Sequence, residues 1–206
     1  MNVKLSRREV LARARKVELL VLDVDGVLTD GGLYYGAEGE VMKRFNARDG
    51  HGLTLARRVG LRSAVLTARR SQIVQVRGEE LGISPVFQGR KDKLSGFEEL
   101  LAETGLAPEQ TAYVGDDLND LGPLALAGLS ACPADACNEV RRAVHYVARA
   151  PGGHGAVREI VELLLKAQGR WSQVLQLMKT RGFSPLPAER PEARNAASKR
   201  LEGPRR

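Results

Sequence analysis

Residues 20–30, LVLDVDGVLTD, restrict the possible folds more than any other stretch of the chain. A continuous apolar run that ends at a glycine reads as a short strand buried on both faces, the pattern of a parallel sheet. Alternate strand residues share a face, so Asp23 and Asp25 arrive together at the strand's carboxyl end, where open α/β sheets gather their reactive groups. Two carboxylates this close repel each other unless a proton or cation lies nearby, and a divalent metal is the natural partner. Taken alone, such a motif is more often a solvated Asp-Gly turn. It does not fit a calcium-binding helix-loop-helix: with Asp23 and Asp25 in the first two ligand positions, the third falls on Val27 and the obligatory glycine on Leu28.

Downstream the pattern alternates. Residues 31–45 read as a hairpin with aromatic and apolar arms around a glycine-rich turn. A helix is expected over 52–59, stopped by Gly60, and a strand over 62–66 that ends in the polar, basic cluster Thr67, Ala68, Arg69, Arg70. Then follow a helix near 71–81, a strand at 86–87, a helix from Lys93 to about Thr104 and a strand at 111–114. That strand runs into Gly115, Asp116, Asp117, Leu118, Asn119 and Asp120, a second carboxylate cluster. A helix near 121–127, a strand at 129–132, a helix from Asn138, a strand at 145–147 and a helix at 156–165 complete the series. Strands alternating with helices predict an α/β fold, a doubly wound parallel sheet with right-handed crossovers. There is no internal repeat.

The 206 residues suit one domain with appendages: a basic N-terminal helix over 1–16, a domain over 17–166 and a basic tail over 167–206. The net charge of +7 invites a nucleic-acid partner, but residues 1–165 hold 22 Lys+Arg and 22 Asp+Glu. Residues 166–206 carry the whole excess, 10 basic against 3 acidic residues. A balanced body is not a nucleic-acid-binding surface, so no specific nucleic acid is expected, although such a tail could touch RNA or anionic lipid non-specifically. Within the tail Trp171, Val174, Leu175 and Met178 have the spacing of one amphipathic helix, and 181–206 has the composition of an unfolded segment. Cys132 and Cys137 lack the further Cys or His ligands of a zinc site and read as free thiols of a reducing compartment. No apolar run is long enough to cross a membrane and no signal-peptide core is present, so a soluble, cytoplasmic protein is expected. The Arg-rich residues 5–16 resemble an organelle transit peptide only weakly, because Glu9 interrupts them.

Separate segments thus supply Asp23 with Asp25, Thr67, Lys93, and Asp116 with Asp117 and Asp120. In this order they resemble the four motifs of the haloacid dehalogenase-like phosphohydrolases, over roughly residues 17–165. The resemblance implies a nucleophilic Asp23 that forms an aspartyl-phosphate, with Asp25 as proton donor and then base. It implies Thr67 and Lys93 on the phosphoryl group and Mg2+ held by Asp23, the backbone carbonyl of Asp25 and Asp116, with Asp117 and Asp120 in support. The chemistry agrees: a phosphate monoester carries about two negative charges, so an anionic nucleophile needs cations and donors around it. On the residues alone, Lys93 is equally a solvated helix position, and Asp117 or Asp120 a helix cap.

The gaps between the motifs hold only a hairpin plus helix and a helix plus strand, which makes this a capless member. In such members an open site is completed by oligomerisation, here expected as a homotetramer. The wording of 23–34, of Phe45 to Gly50, of Gln88-Gly89 ahead of Lys93 and of Gly152 to Glu159 is similar to the capless subfamily acting on 3-deoxy-D-manno-octulosonate 8-phosphate in lipopolysaccharide sugar synthesis. By that similarity the substrate loop is Asn46, Ala47, Arg48, Asp49 and Gly50, and the basic contacts are Arg69, Arg77 and Lys93. A sugar acid phosphate brings a carboxylate besides its phosphate, which suits arginine's planar fork. Arg69 and Arg77 are also eight apart, the spacing of one exposed helix face. His154 stands where the subfamily usually has arginine, and Thr54 where a basic residue is common. The alternatives are a phosphatase for a nine-carbon sugar acid phosphate and a non-catalytic oligomerisation module, although a scaffold would require none of Asp23, Asp25, Thr67, Lys93 and Asp116.

Overall fold

A computed structural model describes residues 5–180 of the chain. Its centre is β1 (Leu19–Leu22), four consecutive apolar residues with no solvent exposure. Such a run is stable only between two neighbours and two helical layers. Its neighbours are β4 (Arg62–Leu66) and β6 (Thr111–Val114), both parallel and in register from Leu19. Beyond them lie β5 (Val86–Phe87) on one side and β7 (Leu129–Cys132) and β8 (Tyr146–Val147) on the other, giving the order β5-β4-β1-β6-β7-β8. The chain builds outward from β1 through β4 and β5, then crosses back to β6. That reversal opens a crevice at the carboxyl ends of β1, β4 and β6, where ligands of open α/β sheets bind.

Alternation along β1 divides the core. Leu19 and Val21 join Leu66, Phe97, Leu100, Tyr113 and Leu124 in one cluster, under α4 (Lys93–Thr104), α5 (Leu121–Leu126) and α6 (Asn138–Ala143). Phe97 and Tyr113 meet edge to face, ring centroids 5.4 Å apart. The period of two carries the same face on to Asp23, which therefore points toward the start of α4. The opposite layer contains α1 (Arg7–Ala14), α2 (Ala47–Arg58) and α7 (Ala156–Ala167); α7 buries Val157, Ile160, Val161, Leu164 and Leu165. α1 buries Val10 and Ala14, and Arg13 donates to the Gly128 carbonyl at 2.7 Å. α3 (Gln72–Leu81) connects β4 to β5.

Between β1 and α2 the chain makes the expected hairpin, β2 (Tyr34–Gly36) antiparallel to β3 (Gly39–Met42), with Thr29 and Phe45 bridged at its base. α2 starts five residues before the expected helix, so residues 46–50 are not a loop. The Asn46 side chain accepts from the Arg48 and Asp49 backbones and caps the helix. Gly50 and Gly52 sit inside the helix, where the Arg77 and Arg158 side chains occupy the space a Cβ would need. β8 starts at Tyr146 rather than His145, whose ring Nδ1 instead accepts from the Ser130 backbone at 3.0 Å.

Contacts divide the chain into one unit over residues 1–174 and a second from Leu175 onward, a boundary inside α8 (Trp171–Thr180). Within the first unit Trp171 lies against Arg158 and Lys166. The expected unfolded segment 181–206 lies outside the described residues. Among the described residues no helix is long and apolar enough to cross a membrane.

Candidate active site

The crevice is a pocket of about 230 Å³ lined by Asp23, Asp25, Thr67, Arg69, Lys93 and Asp116, with Gly26, Gly31, Ala68, Asp117 and Asn119. Four segments far apart in sequence meet there because the ends of β1, β4 and β6 are adjacent and α4 begins opposite them. Gly26, at φ 82°, turns the chain away from β1; a side chain on it would collide with the Asp116 carboxylate. The turn is braced from behind, where Gly153 donates to the Val27 carbonyl at 3.0 Å and Gly152 lies so close to the Gly26 carbonyl that no Cβ fits.

Asp23 is 5% exposed, and its Oδ2 lies 2.7 Å from Lys93 Nζ. Lys93 is buried too, and its ammonium is shared with Asp120 Oδ1, also at 2.7 Å. Asp120, fully buried, accepts four bonds: Lys93 Nζ and the Tyr113 hydroxyl (2.8 Å) on Oδ1, and the backbone N–H groups of Asp116 (3.0 Å) and Asp117 (3.3 Å) on Oδ2. It ties the loop after β6 to α4. Asp117 caps the short 3-10 turn over Leu118–Asp120, accepting from Leu118 N–H at 2.8 Å.

Burial, partly offset by Lys93 and reinforced by Asp120, pushes the Asp23 carboxyl up to about 7. Asp116 is also pushed up to about 7, by burial and then by Asp23 and Asp120. Burial opposes the Lys93 ammonium, but Asp23 and Asp120 outweigh it and hold its pKa above the ordinary lysine value. The site thus stores more negative charge than its lone lysine balances, the condition under which a hard divalent cation binds. Asp23, Asp116 and Asp120 offer carboxylate oxygens within 4.8 Å of one another. Because Asp120 is already saturated by four donors, Asp23 and Asp116 are the carboxylates suited to ligation. An all-oxygen donor set fits Mg2+.

Asp25 is held differently. Its Oδ1 is paired with Lys43, its Oδ2 lies 3.7 Å from Arg69 Nε, and Arg69 also donates to the Tyr35 hydroxyl of the hairpin. Sequence reasoning missed Lys43, whose side chain is 1% exposed. The local signal was weak: a lysine that follows the apolar pair Val41 and Met42 but stands between Glu40 and Arg44. It also missed Tyr113, although a tyrosine in a wholly buried strand needs a partner for its hydroxyl.

Among the residues singled out from the sequence, Asp23, Asp25, Thr67, Arg69, Lys93, Asp116 and Asp117 line the pocket, and Asp120 is hydrogen-bonded to three of them, Lys93, Asp116 and Asp117. Asn46, Ala47, Arg48, Asp49, Gly50 and Arg77 do not. Asp49 is buried in the first turn of α2, where it accepts from the Gly155 and Arg158 backbones at 3.0 and 2.7 Å and so anchors the start of α7. Arg77 pairs with Glu80 at 2.7 Å and lies 5.7 Å from the Phe45 ring centroid. His154 contacts Arg44 and the Gly152 carbonyl, and Thr54 donates back to the Gly50 carbonyl at 3.1 Å.

A family model described as haloacid dehalogenase-like hydrolase matches residues 65–160. The chain is 46% identical over 162 residues to 3-deoxy-D-manno-octulosonate 8-phosphate phosphatase of Escherichia coli K12, covering 79% of this chain and 86% of that protein. The structure superposes on a probable YrbI family phosphatase from Pseudomonas syringae with a TM-score of 0.81 and 42% identity, covering 84% of this chain and 98% of that one. It is equally similar, with a TM-score of 0.81, to 3-deoxy-D-manno-octulosonate 8-phosphate phosphatase from Moraxella catarrhalis, solved with magnesium ion, phosphate ion and KDO. That pair shares 37% identity over 84% of this chain and 99% of the other.

Proposed function

The chain belongs to the haloacid dehalogenase-like hydrolases, among the 3-deoxy-D-manno-octulosonate 8-phosphate phosphatases, and from that premise we propose how its residues carry out the reaction. The protein is a Mg2+-dependent phosphatase that releases phosphate from 3-deoxy-D-manno-octulosonate 8-phosphate. The observation that carries the residue assignment is the convergence of Asp23, Asp25, Thr67, Lys93 and Asp116 from four segments on one small pocket. Asp23 attacks phosphorus and forms an aspartyl-phosphate while Asp25 protonates the departing sugar oxygen; Asp25 then deprotonates the water that hydrolyses the intermediate. Lys93, 2.7 Å from Asp23, offsets the charge that phosphate adds beside the nucleophile, and the Thr67 hydroxyl donates to a phosphoryl oxygen. Asp23, Asp116 and the Asp25 carbonyl hold Mg2+, which when bound supplies Lewis-acid neutralisation of the phosphoryl group.

The test is phosphate release from the eight-carbon sugar acid phosphate, a nine-carbon analogue and hexose phosphates, with and without Mg2+. Preference for the eight-carbon compound is expected. Preference for the nine-carbon compound would leave the chemistry standing and overturn the substrate.

The ionic state of the pocket gives a second expectation. Asp23 and Asp116 have folded pKa values above those of the unfolded chain, so the folded state binds more protons between pH 4 and 7. Their contribution to stability is therefore greatest at low pH and is lost as pH rises toward about 7. Mg2+ binds the ionised carboxylates and reverses that loss. In thermal melts, millimolar Mg2+ should raise Tm by about 5 °C more near pH 8 than near pH 5.5. An equal rise at both values would remove Asp23 and Asp116 as the ligands.

A homotetramer built through the hairpin completes this reading. Tyr35, Val41 and Met42 are 58%, 63% and 49% exposed, so the hairpin beside the open pocket presents apolar side chains to solvent on both its faces. Arg77 and the α2 start lie outside the pocket of a single chain, so their part in substrate binding is assigned across that interface. Val41→Asp should give a smaller species in size-exclusion light scattering and lower kcat/KM about tenfold or more. A tetramer with unchanged kcat/KM would exclude the hairpin. A cytoplasmic location agrees with the free thiols of Cys132 and Cys137.

A further inference from the structure

We propose that Lys43 is a positioning residue for the proton-transfer carboxylate: it occupies Asp25 Oδ1 from the hairpin side and leaves Oδ2 as the oxygen that exchanges a proton with substrate. The inference rests on the reading of Asp25 as proton donor and acceptor.

Lys43 directly follows β3, whose Val41 and Met42 are exposed, yet its own side chain is 1% exposed. Its ammonium lies between Asp25 Oδ1 and Glu40 Oε1, the latter at 3.0 Å. An ammonium so enclosed persists only when paired. Burial works against its charge, but Asp25 and Glu40 outweigh burial and keep its pKa above the ordinary value. Glu40 is itself fixed, since its Oε2 accepts from the Ser71 hydroxyl at the start of α3. Lys43 is therefore anchored to the body of the domain and does not follow the exposed hairpin tip. On the other side of Asp25, Arg69 Nε stands 3.7 Å from Oδ2, beyond hydrogen-bond range, while that guanidinium donates to Tyr35. One carboxylate oxygen is thus taken, and the other stays available beside Arg69, which lines the pocket.

The division of labour follows the bonds. In the first step the bond from Asp23 to phosphorus forms, the bond from phosphorus to the sugar oxygen breaks, and that oxygen takes the proton from Asp25 Oδ2. In the second, water oxygen bonds phosphorus, the bond to Asp23 breaks, and the proton of that water returns to Asp25. Lys43 touches neither phosphorus nor the metal-binding carboxylates. Its loss should matter in proportion to how much the leaving oxygen needs a proton. A sugar alkoxide needs one; p-nitrophenolate does not.

The experiment is the ratio of first-turnover rates, by rapid mixing, for p-nitrophenyl phosphate over the sugar acid phosphate. Lys43→Met should raise that ratio about 100-fold, because only the sugar phosphate slows. The double variant Lys43→Met/Glu40→Gln removes one charge of each sign, which guards against misfolding from unpaired carboxylates, and should raise the ratio equally. An unchanged ratio in a folded variant, whether both rates fall together or neither falls, overturns the proposal. Asp25→Ala separates the two levels. If it leaves the ratio unchanged, the role of Asp25 fails; if it raises the ratio and the Lys43 variants do not, only the inference fails.

Discussion

Asp23→Asn is expected to reduce phosphate release by about 10⁴-fold or more and, without Mg2+, to raise Tm near pH 8. The first effect follows from removing the nucleophile, since the rest of such a site retains only the residual rate of binding and charge stabilisation. The second follows from the site's electrostatics. Burial pushes the Asp23 carboxyl up to about 7, so near pH 8 the protein bears the cost of an anion in a place that prefers a neutral group. An asparagine has the same shape, is neutral at every pH, and still offers Lys93 an acceptor. Near pH 5 the wild-type carboxyl is protonated already, and the Tm difference should nearly vanish. Melts at both pH values in the presence of a chelator, alongside the activity assay, make the check. An inactive variant with an equal or lower Tm near pH 8 would contradict the electrostatic account while leaving the nucleophile in place.

The same dependence on burial explains which parts of the site were legible in the sequence. Asp23, Asp25, Thr67 and Asp116 could be read because each lies within three residues of the end of a short strand, and the carboxyl ends of parallel strands share one edge. Lys93 could be read only through the resemblance, because a lysine opening a helix has no distinguishing local pattern. The start of α2 was misplaced because the resemblance assigns residues 46–50 to a substrate loop, whereas the Asn46 side chain caps a helix that runs on through Gly50, beside which the Arg77 side chain fills the space. The anchoring role of Asp49 was hidden for a related reason: nothing local shows that the α7 start, more than one hundred residues later, supplies the N–H groups it accepts. Lys43 is the extreme case. Its burial depends on Asp25, Glu40 and the hairpin fold together, and none of these pairings leaves a trace in spacing.

Asp120 is expected to tolerate even its isosteric amide poorly. All four of its partners are donors: Lys93 Nζ, the Tyr113 hydroxyl and the Asp116 and Asp117 backbones. Only a carboxylate accepts on every side. An asparagine must turn its two N–H groups toward one pair of these donors, so it loses two bonds and sets donor against donor in a fully buried place. Asp120→Ala takes the acceptor from all four donors and leaves the Lys93 ammonium with Asp23 alone, and breaking a buried ion pair from one side costs about 3–5 kcal/mol. In urea unfolding both variants should lose several kcal/mol, with Asp120→Asn recovering only a small part. The consequence reaches function through the loop after β6, since Oδ2 fixes the backbone of Asp116 and Oδ1 holds Lys93 beside Asp23. Mg2+ affinity and kcat should therefore fall together in whatever fraction stays folded, each by about 10-fold to 100-fold. An Asp120→Asn protein within about 1 kcal/mol of wild type and with full Mg2+ affinity would mean that Asp120 merely fills space, and that Lys93 is positioned by Asp23 alone.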